Sequence, residues 1–506
     1  MGAACHATAA EGRKTLALCE PPYVFWDGGM DRLREGEETI PGMGVLVLAA
    51  VARARGYRVH LIDAKGQGTS VEEVSREIAV LAPDYLGLSA TTVSVANAAR
   101  IAACVKALLP DVVTIVGGPH VSAVPERTLE AFSSFDFGIV GEGEISLFEL
   151  LARLDQGRAV EDVAGLVHRR DGQVCANARM AYIDDLDSLP VPAWDLLSDF
   201  PHRFQPSLLS YPRTPVGALL TSRGCPFSCS FCDRSTSGNV GRMHSVEYVV
   251  GLCRRLAELG VEHIMFVDDL FTVRKRRVVE LCQALMDEGF RFTWSCNSHP
   301  NLLDFDTLKL MKRAGCWQIA YGIESGSQRV LDVAKREVQI PRMRETLRMT
   351  KAAGIRTKGF LMVGHPTEGL DSLAETAAFL KVVELDLCQL TKFTPYPGVP
   401  VYATIREYGA FDENWGKMNA MNFVFIPRGL SEEILERYFD HFYRVFYSRP
   451  DVLWGLARLL IREPRFARRL LASSKVYLRG KFAAGRYIIG RVPRRHRPAL
   501  QGRAGG

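Results

Sequence analysis

Three cysteines within eight positions carry the most specific chemistry in this sequence. Cys225, Cys229 and Cys232 lie in the run TSRGCPFSCSFCDRS, residues 221–235, at the spacing C-x3-C-x2-C. Thiolates select zinc or iron–sulfur clusters, and a closed structural site takes four ligands. Three on one loop leave a metal corner open. A zinc ion would need a distant fourth ligand, yet no second cysteine pair at metal spacing occurs and nearby His244 has no partner histidine. In a [4Fe–4S] cluster, an iron without a protein ligand is a place to bind and activate a small molecule. The other nine cysteines (Cys5, Cys19, Cys104, Cys175, Cys253, Cys282, Cys296, Cys316 and Cys388) are scattered singly and read as small buried hydrophobes. Cys296 and Cys316, like Tyr321 and Tyr396, fall where a hydrogen donor would serve a barrel site, but packing is the plainer reading of all four.

Further segments hold residue types suited to small-molecule binding. FVDDLF carries Asp268 and Asp269, YGIESGS carries Glu324, and GFLMVGHP carries Gly359 and Gly364. A carboxylate such as Glu324 accepts two hydrogen bonds from a diol. Alone, each segment has a bland reading: a solvated strand end, a helix-capping Glu-Ser, a packing glycine. Nearer the N-terminus, Gly117, Gly118, Gly141 and Gly143 in VGGPH and GEGE would let a large ligand approach the backbone. Helix N-termini after both runs suit a phosphate or amide.

The elements that must position these residues alternate. Strand patterns KTLALCEPP, YRVHLIDA, YLGLSAT, VVTIVGGP and FGIVGEGE are separated by helical patterns near 41–55, 70–82, 95–109 and 124–133, with a fifth from about 144. Buried Val/Ile/Leu runs followed by a helix predict a parallel doubly wound α/β sheet over 14–155, with its ligand outside the carboxyl ends of the strands. Residues 156–212, with DDLDSLPVPAWDLL, read as an ordered linker. From 213 to 420 a second alternation of six β/α units predicts an incomplete (β/α)6 barrel, with the cysteines after its first strand at the C-terminal face. Residues 421–506 are helical by pattern and basic.

The chain of 506 residues exceeds one hydrophobic core, and 47% hydrophobic and 24% charged residues place it among ordinary globular proteins. No apolar run reaches a bilayer span and the N-terminus lacks a secretory layout, so the cytoplasm and reduced thiols are expected. Residues 451–506 hold 14 Lys+Arg against 2 Asp+Glu, while the rest of the chain is acidic overall. The plain reading of this tail is docking helices with a solvated face. The sharper reading is peripheral attachment to an anionic membrane surface or partner.

Taken in order, the cysteine motif after a first barrel strand and the VDD, GIES and GFLMVG segments resemble the radical S-adenosylmethionine (SAM) superfamily. The preceding doubly wound domain resembles its cobalamin-binding branch over roughly 14–415. The resemblance implies a [4Fe–4S] cluster on Cys225, Cys229 and Cys232, whose open iron chelates SAM. It also implies SAM contacts from Phe231, Asp268, Asp269, Glu324, Gly359 and Gly364, with Glu324 on the ribose. Here VDD replaces the Gly-Gly-Glu of many relatives. The implied cobalamin contacts are Asp63, Lys65, Gly68, Ser89, Thr91, Gly117, Gly118, His120, Gly141, Glu142 and Gly143. Many cobalamin domains carry D-x-H-x-x-G, but Asp63-Ala64-Lys65-Gly66-Gln67-Gly68 has Lys for His, so no histidine would ligate cobalt from below; His120 is a substitute only if it does not simply line its loop. The implied activity is methylation of an unactivated carbon or phosphorus through methylcobalamin and a 5′-deoxyadenosyl radical. A radical cyclase without methyl transfer is the rival, and a non-catalytic cobalamin or redox sensor a more distant one. The expected partners are a small-molecule substrate and a flavodoxin- or ferredoxin-type electron donor, not nucleic acid.

Overall fold

The computed structural model describes residues 13–23, 40–204, 210–464 and 467–468. The first domain runs β1 (Thr15–Glu20), α1 (Met43–Ala54), β2 (Arg58–Asp63), α2 (Ala64–Gln67), α3 (Val71–Leu81) and β3 (Tyr85–Ser89). It continues through α4 (Val95–Leu108), β4 (Val113–Gly117), α5 (Pro119–Ala123), α6 (Pro125–Ala131), β5 (Phe137–Ile139) and α7 (Gly143–Asp155). The parallel strands lie in the order β2-β1-β3-β4-β5. Side chains alternate across the sheet: Leu16 and Leu18 pack with α1 and α7, Ala17 and Cys19 with α3 and α4. Strand order reverses between β1 and β3, the switch point at which such sheets open a crevice.

The segment expected as a linker contributes to this sheet. β6 (Leu166–Arg170) and β7 (Gln173–Ala176) add an antiparallel hairpin beside β5. Its turn is Asp171-Gly172, with φ 51° and 81°. Asp-Gly is the pair that a two-residue hairpin with positive φ at both positions prefers.

The second domain begins with β8 (Val216–Leu219), a short pair β9 (Ser222–Arg223) and β10 (Arg242–Met243), and α8 (Val246–Glu258). Then come β11 (His263–Phe266), α9 (Lys275–Asp287), β12 (Thr293–Ser298), α10 (Phe305–Arg313) and β13 (Cys316–Glu324). α11 (Gln328–Ala334), α12 (Ile340–Ala352), β14 (Arg356–Val363), α13 (Leu370–Val382) and β15 (Leu387–Lys392) follow. Six parallel strands stand side by side in chain order, β8-β11-β12-β13-β14-β15, as an open barrel.

An open barrel leaves a strand edge to be covered. After α14 (Ile405–Tyr408), β16 (Gly409–Phe411) and β17 (Phe425–Pro427), α15 (Glu432–Tyr447) does this. The Tyr447 hydroxyl donates to the Cys388 carbonyl at 2.8 Å, and the amides of Cys388 and Leu390 donate to Tyr447 and Tyr443 at 3.2 Å each. α16 (Pro450–Arg462) buries Val452 and Leu459 but exposes Leu453, Trp454 and Ile461. Nearly all of the basic tail beyond it lies outside the described residues. Among the described residues no helix is long and apolar enough to cross a membrane.

Candidate functional site

The cysteine loop leaves the barrel through a braced turn. Asp268 Oδ1, fully buried just past β11, accepts from the Thr221 amide (2.9 Å), the Thr221 hydroxyl (3.0 Å) and the Ser222 hydroxyl (2.5 Å). Asp269 Oδ2 accepts from the Gly224 amide at 3.2 Å. Gly224 has φ 83°, and a β-carbon there would stand 2.5 Å from the Val240 carbonyl, so glycine is required. The two aspartates expected beside SAM therefore spend these oxygens on the loop; among the described residues, buried Asp268 Oδ2 has no hydrogen-bond partner. Burial pushes Asp268 up to about 6, against the hydrogen bonds from Ser222 and Thr221 and the charge of Arg277.

On the loop, Cys229 is buried and Cys225 and Cys232 are half-buried. Burial and mutual repulsion push Cys232 up to about 12, and burial pushes Cys229 up to about 11. A cationic guest is what would draw protons from such thiols. The three lie within one another's electrostatic reach, but among the described residues no three metal-binding side chains converge on a single-ion position. Thiols arranged in this way suit a cluster in which three irons take one cysteine sulfur each and the fourth takes none.

Across the same face, Glu324 ends β13 at a register shift against β14, with φ 62°. A non-glycine residue there is strained, and such strain gathers at functional sites. Buried Lys335 holds it, reaching Glu324 Oε1 at 3.3 Å and the Gly322 carbonyl at 2.9 Å. Burial raises the Glu324 carboxyl, and Lys335 opposes the rise. Lys335 also lowers the Cys225 and Cys229 thiols, so one cation serves both ends of the site. Gly364, at φ 95°, donates its amide to Glu368 Oε2 at 2.6 Å. Burial pushes Glu368 up to about 7. Phe231 stands edge-on to His365 at 6.1 Å. At Gly359, Leu385 and Ile323 fill the place of a side chain, so core packing is one cause of the glycine. Cys296 and Cys316 are buried with Cys282 of α9, and Tyr321 bonds Thr350 of α12, so all these side chains pack toward the helices.

At the first domain's switch point lies a cavity of about 350 Å3. Of the residues expected to meet cobalamin, Ser89, Thr91, Gly117, Gly118, Gly141, Glu142 and Gly143 line it. Asp63, Lys65 and Gly68 do not; they sit at and after β2, the edge strand, where Lys65 lies over the Tyr23 ring at 5.4 Å. His120 does not line it either. It is fully buried, with Nδ1 3.2 Å from the Thr92 hydroxyl and its ring 4.4 Å from Trp415, so it packs behind the loop. Glu20, Gly42, Gly44 and Gly87 also belong to the lining, and none of them stands out individually in the sequence.

The two sites are joined. Arg223, two residues before Cys225, pairs with Glu142 at 3.0 Å and Glu144 at 2.6 Å; Arg242 pairs with Glu142 at 2.8 Å. All four side chains are buried. Glu142 thus bridges domains, and Leu220, Arg223, Thr236 and Ser237 of the barrel close the cavity.

Both domains match known proteins. The radical SAM superfamily profile matches residues 219–380 and the B12 binding domain profile residues 32–151. The chain is 30% identical over 418 residues to an uncharacterized methyltransferase of Pyrococcus horikoshii, covering 82% of this chain and 89% of that one. It is 26% identical over 462 residues to the anaerobic magnesium-protoporphyrin IX monomethyl ester cyclase of Rubrivivax gelatinosus, covering 89% and 81%. The cobalamin-dependent SAM radical enzyme OxsB, solved with aqua-cobalamin and SAM, shares the fold at TM-score 0.62 and 20% identity over 78% of this chain, which spans only 55% of OxsB. Fold and site define a radical SAM enzyme. The chain belongs to the cobalamin-binding radical SAM family, whose cofactors are a [4Fe–4S] cluster, SAM and cobalamin.

Proposed function

We propose that the protein methylates an unactivated carbon, or a phosphorus, of a small biosynthetic intermediate. When bound, the cluster with SAM supplies a carbon radical, and cobalamin supplies a transferable methyl group. In this reading Cys225, Cys229 and Cys232 hold the cluster, Glu324 and Phe231 hold SAM, and Lys335 fixes Glu324 while placing positive charge by the thiols. Asp268, Asp269 and Glu368 act as positioning residues. The observation that carries the reading is the buried Arg223–Glu142–Arg242 bridge, which fixes the switch-point cavity against the root of the cysteine loop. Two cofactors must share one substrate for methyl transfer, and a rigid junction sets their separation. Electrons would come from a flavodoxin- or ferredoxin-type donor.

The test is anaerobic reconstitution with SAM labelled on its methyl group. Label passing into the cobalamin fraction, with S-adenosylhomocysteine and 5′-deoxyadenosine both rising on addition of substrate, is expected. Deoxyadenosine with neither labelled cobalamin nor S-adenosylhomocysteine would favour the cyclase reading, for which the Rubrivivax relative is the ground.

A further inference from the structure

The switch-point cavity is too small for most of the cofactor. About 350 Å3 leaves no room for a corrin ring. The flat bicyclic base at the end of cobalamin's nucleotide tail is the apolar part of that molecule that such a slot can take. Its walls suit an apolar guest: Leu18, Leu48, Ile115, Ile139 and Leu147 enclose it, with the Leu18 side chain lying over Gly87 of β3.

One wall group does not suit a purely apolar guest. Glu20 ends β1 inside this lining and lies deep in the protein while keeping a partly accessible surface, as a group facing a cavity does. Its Oε2 accepts from the Gly42 amide at 3.1 Å, and a side chain at 42 would collide with the carboxyl. Among the described residues no side chain hydrogen-bonds to Oε1. The other two acids of the lining, Glu142 and Glu144, are taken by Arg223 and Arg242. A carboxyl among leucines and isoleucines is stable when neutral, and a neutral carboxyl is a donor. A base seated in the slot cannot reach cobalt, so its ring nitrogen keeps a free lone pair.

We infer that Glu20, as a carboxylic acid, donates a hydrogen bond from Oε1 to the ring nitrogen of the cofactor's nucleotide base, and so selects cobamides whose base has such a nitrogen. Burial and then Asp63 push Glu20 up to about 7, while Lys65 and the Gly42 amide act the other way. Asp63 at the end of β2, Lys65 on α2 and the Cys19 thiol on β1 are the titratable groups within its electrostatic reach. The Ser89 hydroxyl is the rival donor in the lining.

The experiment compares the full chain's equilibrium binding of cobalamin and of p-cresolylcobamide, whose phenolic base has no ring nitrogen. Wild type is expected to prefer cobalamin by about tenfold, the worth of one hydrogen bond to a buried acceptor. Glu20→Leu removes the preference with p-cresolylcobamide affinity unchanged, which also reports that the variant is folded. Glu20→Gln, whose amide still donates, keeps part of it, and between pH 6 and pH 9 the wild-type preference fades while that of Glu20→Gln does not. A preference untouched in Glu20→Leu, or abolished by Ser89→Ala instead, overturns the inference. Failure of wild type to bind either cobamide would instead remove its premise that cobalamin occupies this cavity.

Discussion

Cys225, Cys229 and Cys232 are held by a loop whose root is tied down at two points, Asp268 to Thr221 and Ser222 and Asp269 to Gly224. Replacing any one cysteine with alanine is expected to abolish the cluster's visible absorbance and SAM cleavage together. Asp269→Asn, which removes one charge-assisted bond, should lower cluster occupancy by less than about tenfold; full loss would mean that Asp269 touches the cluster or SAM itself. Glu324→Gln should weaken SAM binding by about 10- to 100-fold, the range for losing charged hydrogen bonds to a diol, read by equilibrium dialysis with the cluster intact. The cysteines stand out because their type and spacing point to the chemistry, whereas Glu324 stands out only through its place in an ordered set of segments. Glu20 and Glu368 do not. Glu20 looks like an ordinary strand-end acid and Glu368 like an ordinary loop acid until folding sets each against a backbone amide, Gly42 for one and Gly364 for the other. Asp268 and Asp269 stand out as acids at a barrel strand end but not as braces, because sequence does not say which way a strand-end carboxylate turns.

The strands and helices of both domains follow hydrophobic period so closely that the six barrel strands and the five parallel strands were readable in order. The pieces missed are short. β9 and β10 have only two residues each, too few for any period, and the β6–β7 hairpin lay in a stretch whose prolines suggested a linker although Asp171-Gly172 marked its turn. The link between these elements matters more than their boundaries. Arg223 on β9 and Arg242 on β10 reach Glu142, at the N-terminus of α7, across the domain junction. Breaking one side of a buried pair strands the other charge, at about 3–5 kcal/mol. Glu142→Gln is expected to lower the denaturation midpoint by that scale and to loosen cobalamin binding, although its side chain serves the junction first. Exchanging Glu142 and Arg242 with each other should recover part of the stability. An unchanged midpoint in Glu142→Gln would show that the junction opens freely in solution.

For the molecule as a whole, buried titratable groups of two kinds pull stability in opposite directions with pH. Burial pushes Glu20 and Glu368 up to about 7 and Asp268 up to about 6, well above their unfolded values. A raised acid stays protonated in the fold where the unfolded chain has ionised, so its contribution is complete below the unfolded pKa and is lost as pH climbs through the folded one. Burial lowers His120 and His365 to about 4 and His263 and His299 to about 3. A depressed base acts in the other direction: its contribution is complete above the unfolded value near 6.5 and drains as pH falls below it. Each group is worth at most about 1.4 kcal/mol per pH unit across its window. From pH 8 down to about 6.5 the histidines are silent and the acids add stability. Below that the lowered histidines, His244 among them, draw stability away while the raised acids, Glu324 and Asp269 among them, still add it. The cofactor-free protein should therefore gain Tm from pH 8 down to about 6.5, with the two kinds of group opposing each other on the acid side. Glu368→Gln should flatten the alkaline side and leave the acid side in place, because a glutamine keeps the neutral shape but cannot ionise. A Tm that rises steadily to pH 8 would mean that these carboxyls are paired or hydrated in solution, and the enclosed sites on which the cofactor assignments depend would then be more open than the fold describes.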